Sequence, residues 1–251
     1  MADALPTVAV LGGTGKEGSG LALRWAIAGY PLIIGSRDAA RAAEAAVRIE
    51  ASAREQRPEI GDELDHAEVA RRLAQATTDR PAVRGMGNAA AAAACDIAVL
   101  AVPFNVQLAT LTEIKDALAG KILIDVTAPL VPPRVSRVQL PEGGSAVLKA
   151  QALLGESVKV VAAFQNVSAP HLAEADHTIE CDVLVCGDDK DARAAAIRLA
   201  EAAGLRGWHA GPLANAAAAE ALTSVLIFIN RAYGIDGAGI RITGTPTKTP
   251  A

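Results

Sequence analysis

The spacing of three glycines near the N-terminus constrains this chain more than any other feature. Residues Val8–Gly18 read VAVLGGTGKEG: four apolar residues, then Gly12, Gly13, Thr14, Gly15, Lys16, Glu17 and Gly18. Gly13, Gly15 and Gly18 stand in the pattern G-x-G-x-x-G, behind an apolar run and ahead of a helical pattern carried by Leu21, Leu23, Trp25, Ala26 and Ala28. A second apolar run, Leu32–Gly35, follows. Strand, turn, helix, strand is the context that this glycine spacing requires. The first glycine turns off the strand, the second lets backbone approach a pyrophosphate, and the third lets the helix pack close to the sheet. The helix then aims its N-terminal amides and the positive end of its dipole at phosphate oxygens. The pattern reads as a dinucleotide-binding βαβ unit, with Gly13, Thr14, Gly15, Lys16 and Glu17 as the phosphate cradle. A glycine-rich connection in an ordinary α/β protein is the plainer alternative.

The end of the second strand refines the choice of dinucleotide. NAD-binding units carry an Asp or Glu about 20 residues after the glycines, on the ribose hydroxyls. Here that place holds Ser36 and Arg37, with Arg41 one helical turn further on. A carboxylate would repel a 2′-phosphate, whereas a hydroxyl and a guanidinium bind one. The expected cofactor is therefore NADP.

Further strands are expected at Val83–Met86, Asp96–Val102, Lys121–Val126 and Val158–Phe164. Helices are expected at Ala39–Glu50, Asn88–Ala94, Gln107–Leu118 and Ser145–Leu154. This alternation predicts an α/β fold, a Rossmann-type doubly wound, mostly parallel sheet with a smaller C-terminal α/β extension. The charged segment Arg54–Asp65 and a helical piece at His66–Ala76 read as a surface excursion. Residues 1–160 are assigned to an NADP-binding domain and 161–244 to a smaller part for the second substrate and dimerisation. Residues 245–251 are read as a disordered tail. Ligands of such sheets bind at the carboxyl ends of the strands. That rule places Val102 and Pro103 beside the nicotinamide. It makes Pro129, Leu130 and Val131 a stiff apolar wall, and puts Gln165, Asn166 and Ser168 at the second substrate. His171 and His177 are read as helix-start or solvent residues, and neither a catalytic residue nor a metal ligand is assigned.

The C-terminal third continues with a strand at Cys181–Cys186 and a helix at Ala192–Ala203, after which Leu205–His209 leads to Gly211-Pro212-Leu213. A long helical pattern, Ala216–Tyr233, is apolar on nearly every side over Leu222–Ile229. A helix apolar all round is a buried one, and a second copy of the chain is its expected cover, hence a homodimer. A last strand is expected at Gly239–Thr243.

Composition narrows the function classes. A net charge of −4 over 251 residues argues against binding nucleic acid by phosphate neutralisation. Three cysteines, Cys95, Cys181 and Cys186, match no zinc or redox spacing. They read as buried thiols in a reducing cytoplasmic compartment. No stretch is read as the roughly 20 apolar residues that a membrane span needs.

Six marks together carry a family resemblance. They are GGTG at Gly12–Gly15, GSR at Gly35–Arg37, the strand ending Val102-Pro103, PLVP at Pro129–Pro132, CDVLVCGDD at Cys181–Asp189 and AGPL at Ala210–Leu213. With them the chain resembles the NADP-dependent coenzyme F420 reductases over most of its length, apart from residues 51–80 and the tail. The resemblance implies hydride transfer between NADPH and the deazaflavin coenzyme F420. It places NADP on Thr14, Gly15, Lys16, Glu17, Ser36, Arg37 and Arg41. It sets Pro129, Leu130, Val131 and the Gln165–Ser168 turn against the deazaflavin. Some relatives carry histidines after the fourth and sixth strands. Here those places read Phe104-Asn105-Val106 and Gln165-Asn166, so no proton-handling histidine carries over. Two other readings stay open: an NADPH-dependent reductase of a small imine, ketone or flavin, and a non-catalytic NADP-sensing protein.

Overall fold

The apolar runs form the middle of one eight-stranded sheet in the computed structural model, which describes residues 4–55 and 82–247. The strands are β1 Val8–Leu11, β2 Leu32–Ser36, β3 Val83–Gly87, β4 Ile97–Leu100, β5 Ile122–Asp125, β6 Lys159–Ala162, β7 Asp182–Gly187 and β8 Arg206–His209. Their spatial order is β3-β2-β1-β4-β5-β6-β7-β8. The first six run parallel, β7 is antiparallel to β6, and β8 is parallel to β7. Helices lie between them: α1 Lys16–Ile27, α2 Ala39–Glu55, α3 Asn88–Ala94, α4 Phe104–Ile114, α5 Ala146–Leu154, α6 Ala169–Ala173, α7 Lys190–Ala202 and α8 Ala216–Tyr233. Strand order reverses between β1 and β4, which pair from Val8↔Ile97 to Leu11↔Leu100. That reversal opens the crevice where sheets of this kind bind ligands.

Both sheet faces are covered, which is why the strands read as unbroken apolar runs. On one side Val8, Val10, Leu32 and Ile34 pack with Leu21 and Trp25 of α1. On the other Ala9, Leu11 and Ile33 pack with Leu111 and Ile114 of α4. Each fully buried Val, Leu or Ile contributes about 1.5–3 kcal/mol. Small residues set the layer spacing: a Cβ on Gly85 of β3 would fall 2.2 Å from the carbonyl oxygen of Ala42 in α2. Alanine in place of that glycine would push the helix off the sheet.

Several expectations need correction. Helix α2 runs on to Glu55, and Lys115–Leu118 is a 3₁₀ turn rather than the end of α4. Gly239–Thr243 is not a strand. Its Ile240 carbonyl accepts from Asp182 N at 2.7 Å, but the next amide, Ile242 N, turns to the Asp182 carboxylate at 2.6 Å and the ladder stops. Helix α8 is not buried on every side: Val225, Phe228 and Tyr233 are 42%, 58% and 77% exposed. A membrane-length segment does exist, since Leu213–Tyr233 spans 21 residues at mean hydropathy 1.5. The helix nevertheless buries Glu220, which accepts hydrogen bonds from Ser145 Oγ and from the amides of Ala146 and Val147 at the start of α5. The expected excursion at residues 56–65 and the helical piece at 66–76 lie outside the described residues. Thr245–Thr247 carry no regular structure, and the rest of the expected tail is likewise outside the description. All three cysteines are buried free thiols, and burial pushes each one up, Cys186 to about 11.

Candidate functional site

Four parallel strands, β1, β4, β5 and β6, end on the same edge of the sheet, and a cavity of ≈ 890 Å³ opens there. The turn after β1 forms its near wall. The left-handed residue of that turn is Gly12, at φ +80°, one place before the three-glycine pattern begins. A Cβ there would fall 2.5 Å from the Ala101 carbonyl oxygen and 2.6 Å from Val102. Gly18 packs α1 against the turn: its Cβ would stand 2.9 Å from Gly13 Cα. The tight turn thus belongs to Gly12, while Gly13 and Gly18 provide the close approach. Gly15 precedes α1 in extended conformation with no side chain to cap the helix, so the first-turn amides stay open toward the cavity.

The cavity brings together most of the residues expected from the sequence. Gly15, Lys16 and Glu17 line one end, Val102 and Pro103 the floor after β4, Leu130 and Val131 a side, and Gln165, Asn166 and Ser168 the end after β6. Gly13 is buried inside the turn, and Thr14 faces a smaller recess beside Ser19, Arg48 and Ser52. Pro129 is not on the cavity wall. Ser36, Arg37 and Arg41 stand outside it, at the end of β2. Ser36 is buried and its hydroxyl accepts from Asp38 N at 3.2 Å. Arg37 and Arg41 are exposed, and neither guanidinium has a hydrogen-bond or ion-pair partner among the described residues.

The far end is built around two buried amides. Gln165 donates through Nε2 to the Asp125 carbonyl at 2.8 Å, and Asn166 through Nδ2 to the Asp182 carbonyl at 2.7 Å. Both amide oxygens, Gln165 Oε1 and Asn166 Oδ1, are buried with no partner. A buried acceptor left unpaired costs about 1–3 kcal/mol, so this end of the cavity carries two costly orphan acceptors. The residue before them, Phe164, sits at φ +74°, a strained conformation for a bulky side chain.

Two groups of lining residues were not foreseen. Thr223, Leu226, Ile227 and Asn230 of α8 face the cavity, with Thr223 Oγ1 donating to the Gln165 carbonyl at 2.7 Å. Asp236, Gly237 and Ala238 close it from the segment after α8, held by Asn230 Oδ1 on Ala238 N at 2.8 Å. The polar residues Thr223 and Asn230 inside an apolar helix were the available signal. His171 does not line the cavity. Its ring lies against that of His177, with centroids 4.4 Å apart, and 3.9 Å from the Asp236 carboxylate. No cluster of three metal-ligating side chains exists among the described residues.

Comparison with known proteins agrees with this geometry. Residues 7–129 match the family model described as NADP oxidoreductase, coenzyme F420-dependent. The F420-dependent NADP reductase of Methanothermobacter thermautotrophicus is 39% identical over 246 residues, 96% of each chain. That of Methanocaldococcus jannaschii is 37% identical over 240 residues, 94% of this chain and 97% of its own. The crystal structure of a putative F420-dependent NADP reductase from Arthrobacter sp. FB24 superposes with TM-score 0.69 at 25% identity, covering 95% of this chain and 100% of its own.

Proposed function

The chain belongs to the F420-dependent NADP oxidoreductase family, and from that premise we propose how its own residues divide the two substrates between them. The activity is hydride transfer between NADP(H) and coenzyme F420, a deazaflavin. The two partners supply the redox chemistry, so the protein has to bind, orient and keep water out.

The dinucleotide diphosphate rests on the Gly12–Gly18 turn and the open amides of α1, next to Thr14, Gly15, Lys16 and Glu17. Its 2′-phosphate lies with Ser36, Arg37 and Arg41, whose two free guanidiniums await an anion. Val102 and Pro103 support the nicotinamide. The deazaflavin stacks on the nicotinamide between the Leu130–Val131 side, stiffened by Pro129, and α8, with the Gln165–Asn166 turn at its polar edge. Ser168 closes the same end. Residues 161–244 thus supply most of the deazaflavin half, and residues 1–160 the dinucleotide half together with the Leu130–Val131 side. The exposed apolar face of α8, with Val225 and Phe228, is covered by a second copy in a homodimer. Reduced cysteines fit a cytoplasmic setting.

The single observation that carries this assignment is the continuous cavity running from the first turn of α1 to two buried, unpaired amide oxygens. Purified protein mixed with NADPH and oxidised F420 should bleach the deazaflavin absorbance. Reduction of a small imine, ketone or other flavin without F420 bleaching would overturn the assignment, as would NADP binding with no hydride acceptor at all.

A further inference from the structure

His171, in α6, stands behind the cavity rather than in it, and its side chain is largely shielded from solvent. Its backbone is pinned, because its carbonyl accepts from the buried Arg24 guanidinium at 2.9 Å. The segment after α8 runs across the edge of its ring. Gly237 in that segment has φ +74°, and a Cβ there would fall 2.5 Å from His171 Nδ1 and 2.9 Å from Nε2. The backbone therefore rests directly on the imidazole, in a conformation and at a distance that glycine alone accommodates. Asp236 and Ala238 flank the contact, and all three residues are cavity wall. The segment is tied on either side of this point. Asn230, near the end of α8, accepts from Ile235 N on its carbonyl at 3.1 Å and from Ala238 N on its side-chain oxygen at 2.8 Å. Further on, Asp182 N donates to the Ile240 carbonyl at 2.7 Å and Asp182 Oδ2 accepts from Ile242 N at 2.6 Å. No hydrogen bond holds Asp236 or Gly237 themselves among the described residues. The Asp236 carboxylate, 3.9 Å from His171 Nε2, is 91% exposed, so that ion pair adds little. What lies under this stretch of wall is the ring.

Resting on the reading that the deazaflavin lies beside α8, we propose that His171 is a positioning residue for the second substrate. From outside the cavity it props the Asp236–Ala238 strap at the depth that walls in a flat heterocycle. Without the ring the strap sinks into the space the imidazole held, and this part of the wall recedes. The deazaflavin then loses its alignment with the nicotinamide, on which hydride transfer depends steeply. The dinucleotide turn at Gly12–Gly18 keeps its geometry, since neither His171's ring nor the strap forms part of it.

The test is steady-state reduction of F420 by NADPH with the full chain, together with the NADPH dissociation constant measured without F420. In His171→Ala, kcat/KM for F420 should fall by about ten- to a hundredfold. The loss should appear as a raised KM for F420 and a lower kcat, with NADPH affinity unchanged. His171→Gln, whose side chain reaches as far, should recover most of it. Gly237→Ala crowds the same contact from the strap's side and should show the same split between F420 and NADPH. Because the ring is what the new methyl meets, the double variant should lose less than the two single losses combined. Wild-type F420 kinetics in His171→Ala, a glutamine variant no better than alanine, additive losses in the double variant, or equal losses for F420 and NADPH would overturn the proposal and leave the cavity assignment standing. Wild-type protein that binds NADPH without reducing F420 would overturn the deazaflavin reading and the proposal with it.

Discussion

The ring of Phe164 meets the ring of Trp25 edge to face, with centroids 5.9 Å apart and planes at 73°. Both side chains are fully buried. The contact joins the strained residue two places beyond β6 to the helix of the dinucleotide turn, so the two halves of the cavity share one anchor. Trp25 also donates Nε1 to the Leu199 carbonyl at 2.7 Å. Trp25→Ala should therefore lower stability by about 3–5 kcal/mol, and Trp25→Phe by less, because an aromatic edge is retained while one hydrogen bond is lost. Urea denaturation followed by far-ultraviolet circular dichroism measures both. A loss below about 1 kcal/mol for the alanine variant would contradict the anchoring role.

In the proposed division of the site, Arg37 reads the 2′-phosphate and so decides between NADP and NAD. Its guanidinium is exposed and unpaired in the protein, so removing it breaks nothing in the fold. Arg37→Ala should weaken NADPH by about 1.5–3 kcal/mol, the scale of a charge-assisted hydrogen bond, and leave NADH nearly unchanged. Equal losses in the dissociation constants of the two dinucleotides would remove the 2′-phosphate from Arg37.

Arg24 holds the segment after β6 against α1. Its guanidinium is buried and donates to five carbonyls: Leu172 at 3.2 Å, Ala203 at 3.1 Å, His171 at 2.9 Å, Glu174 at 2.7 Å and His177 at 2.9 Å. A lysine cannot reproduce that fork. Arg24→Lys should cost on the order of 3 kcal/mol in denaturant unfolding, and it should also weaken substrate binding, because Ser168, Ala169 and Pro170 on this segment line the cavity.

The sequence made the sheet legible because strands covered on both faces need continuous apolar runs, and β1, β4 and β5 have them. The glycine turn between β1 and α1, and the end of β2 at Ser36, were legible because local backbone requirements define them. What was hidden depends on distance along the chain. Ser145 and Glu220 are 75 residues apart, and nothing local says that their side chains meet. Thr223 and Asn230 sit in a helix whose apolar pattern suggested only burial, whereas one side of that helix faces the cavity and Phe228 faces outward. Gly239–Thr243 had strand-like residues, but a side-chain carboxylate, Asp182, takes the amide that a ladder would use.

Glu220 ties α8 to α5 and makes stability depend on pH. Burial raises this carboxyl above its ordinary value of 4.5, while the donors Ser145, Ala146 and Val147 pull it down and the charge of Asp125 adds to the rise. The raised value means that the native state keeps a proton that the unfolded chain has released. Native protein then binds more protons than unfolded protein from about pH 4.5 upward, so stability from this group falls as pH rises through the folded value. Glu220→Gln cannot ionise and should flatten that part of the pH profile. Its amide nitrogen cannot accept a hydrogen bond, so one donor at the start of α5 loses its partner, and stability at pH 5 should be lower than wild type by about 1–3 kcal/mol. Unfolding free energies measured from about pH 4.5 to pH 8 decide the matter: an unchanged slope in the variant would place the pH dependence on other carboxyls.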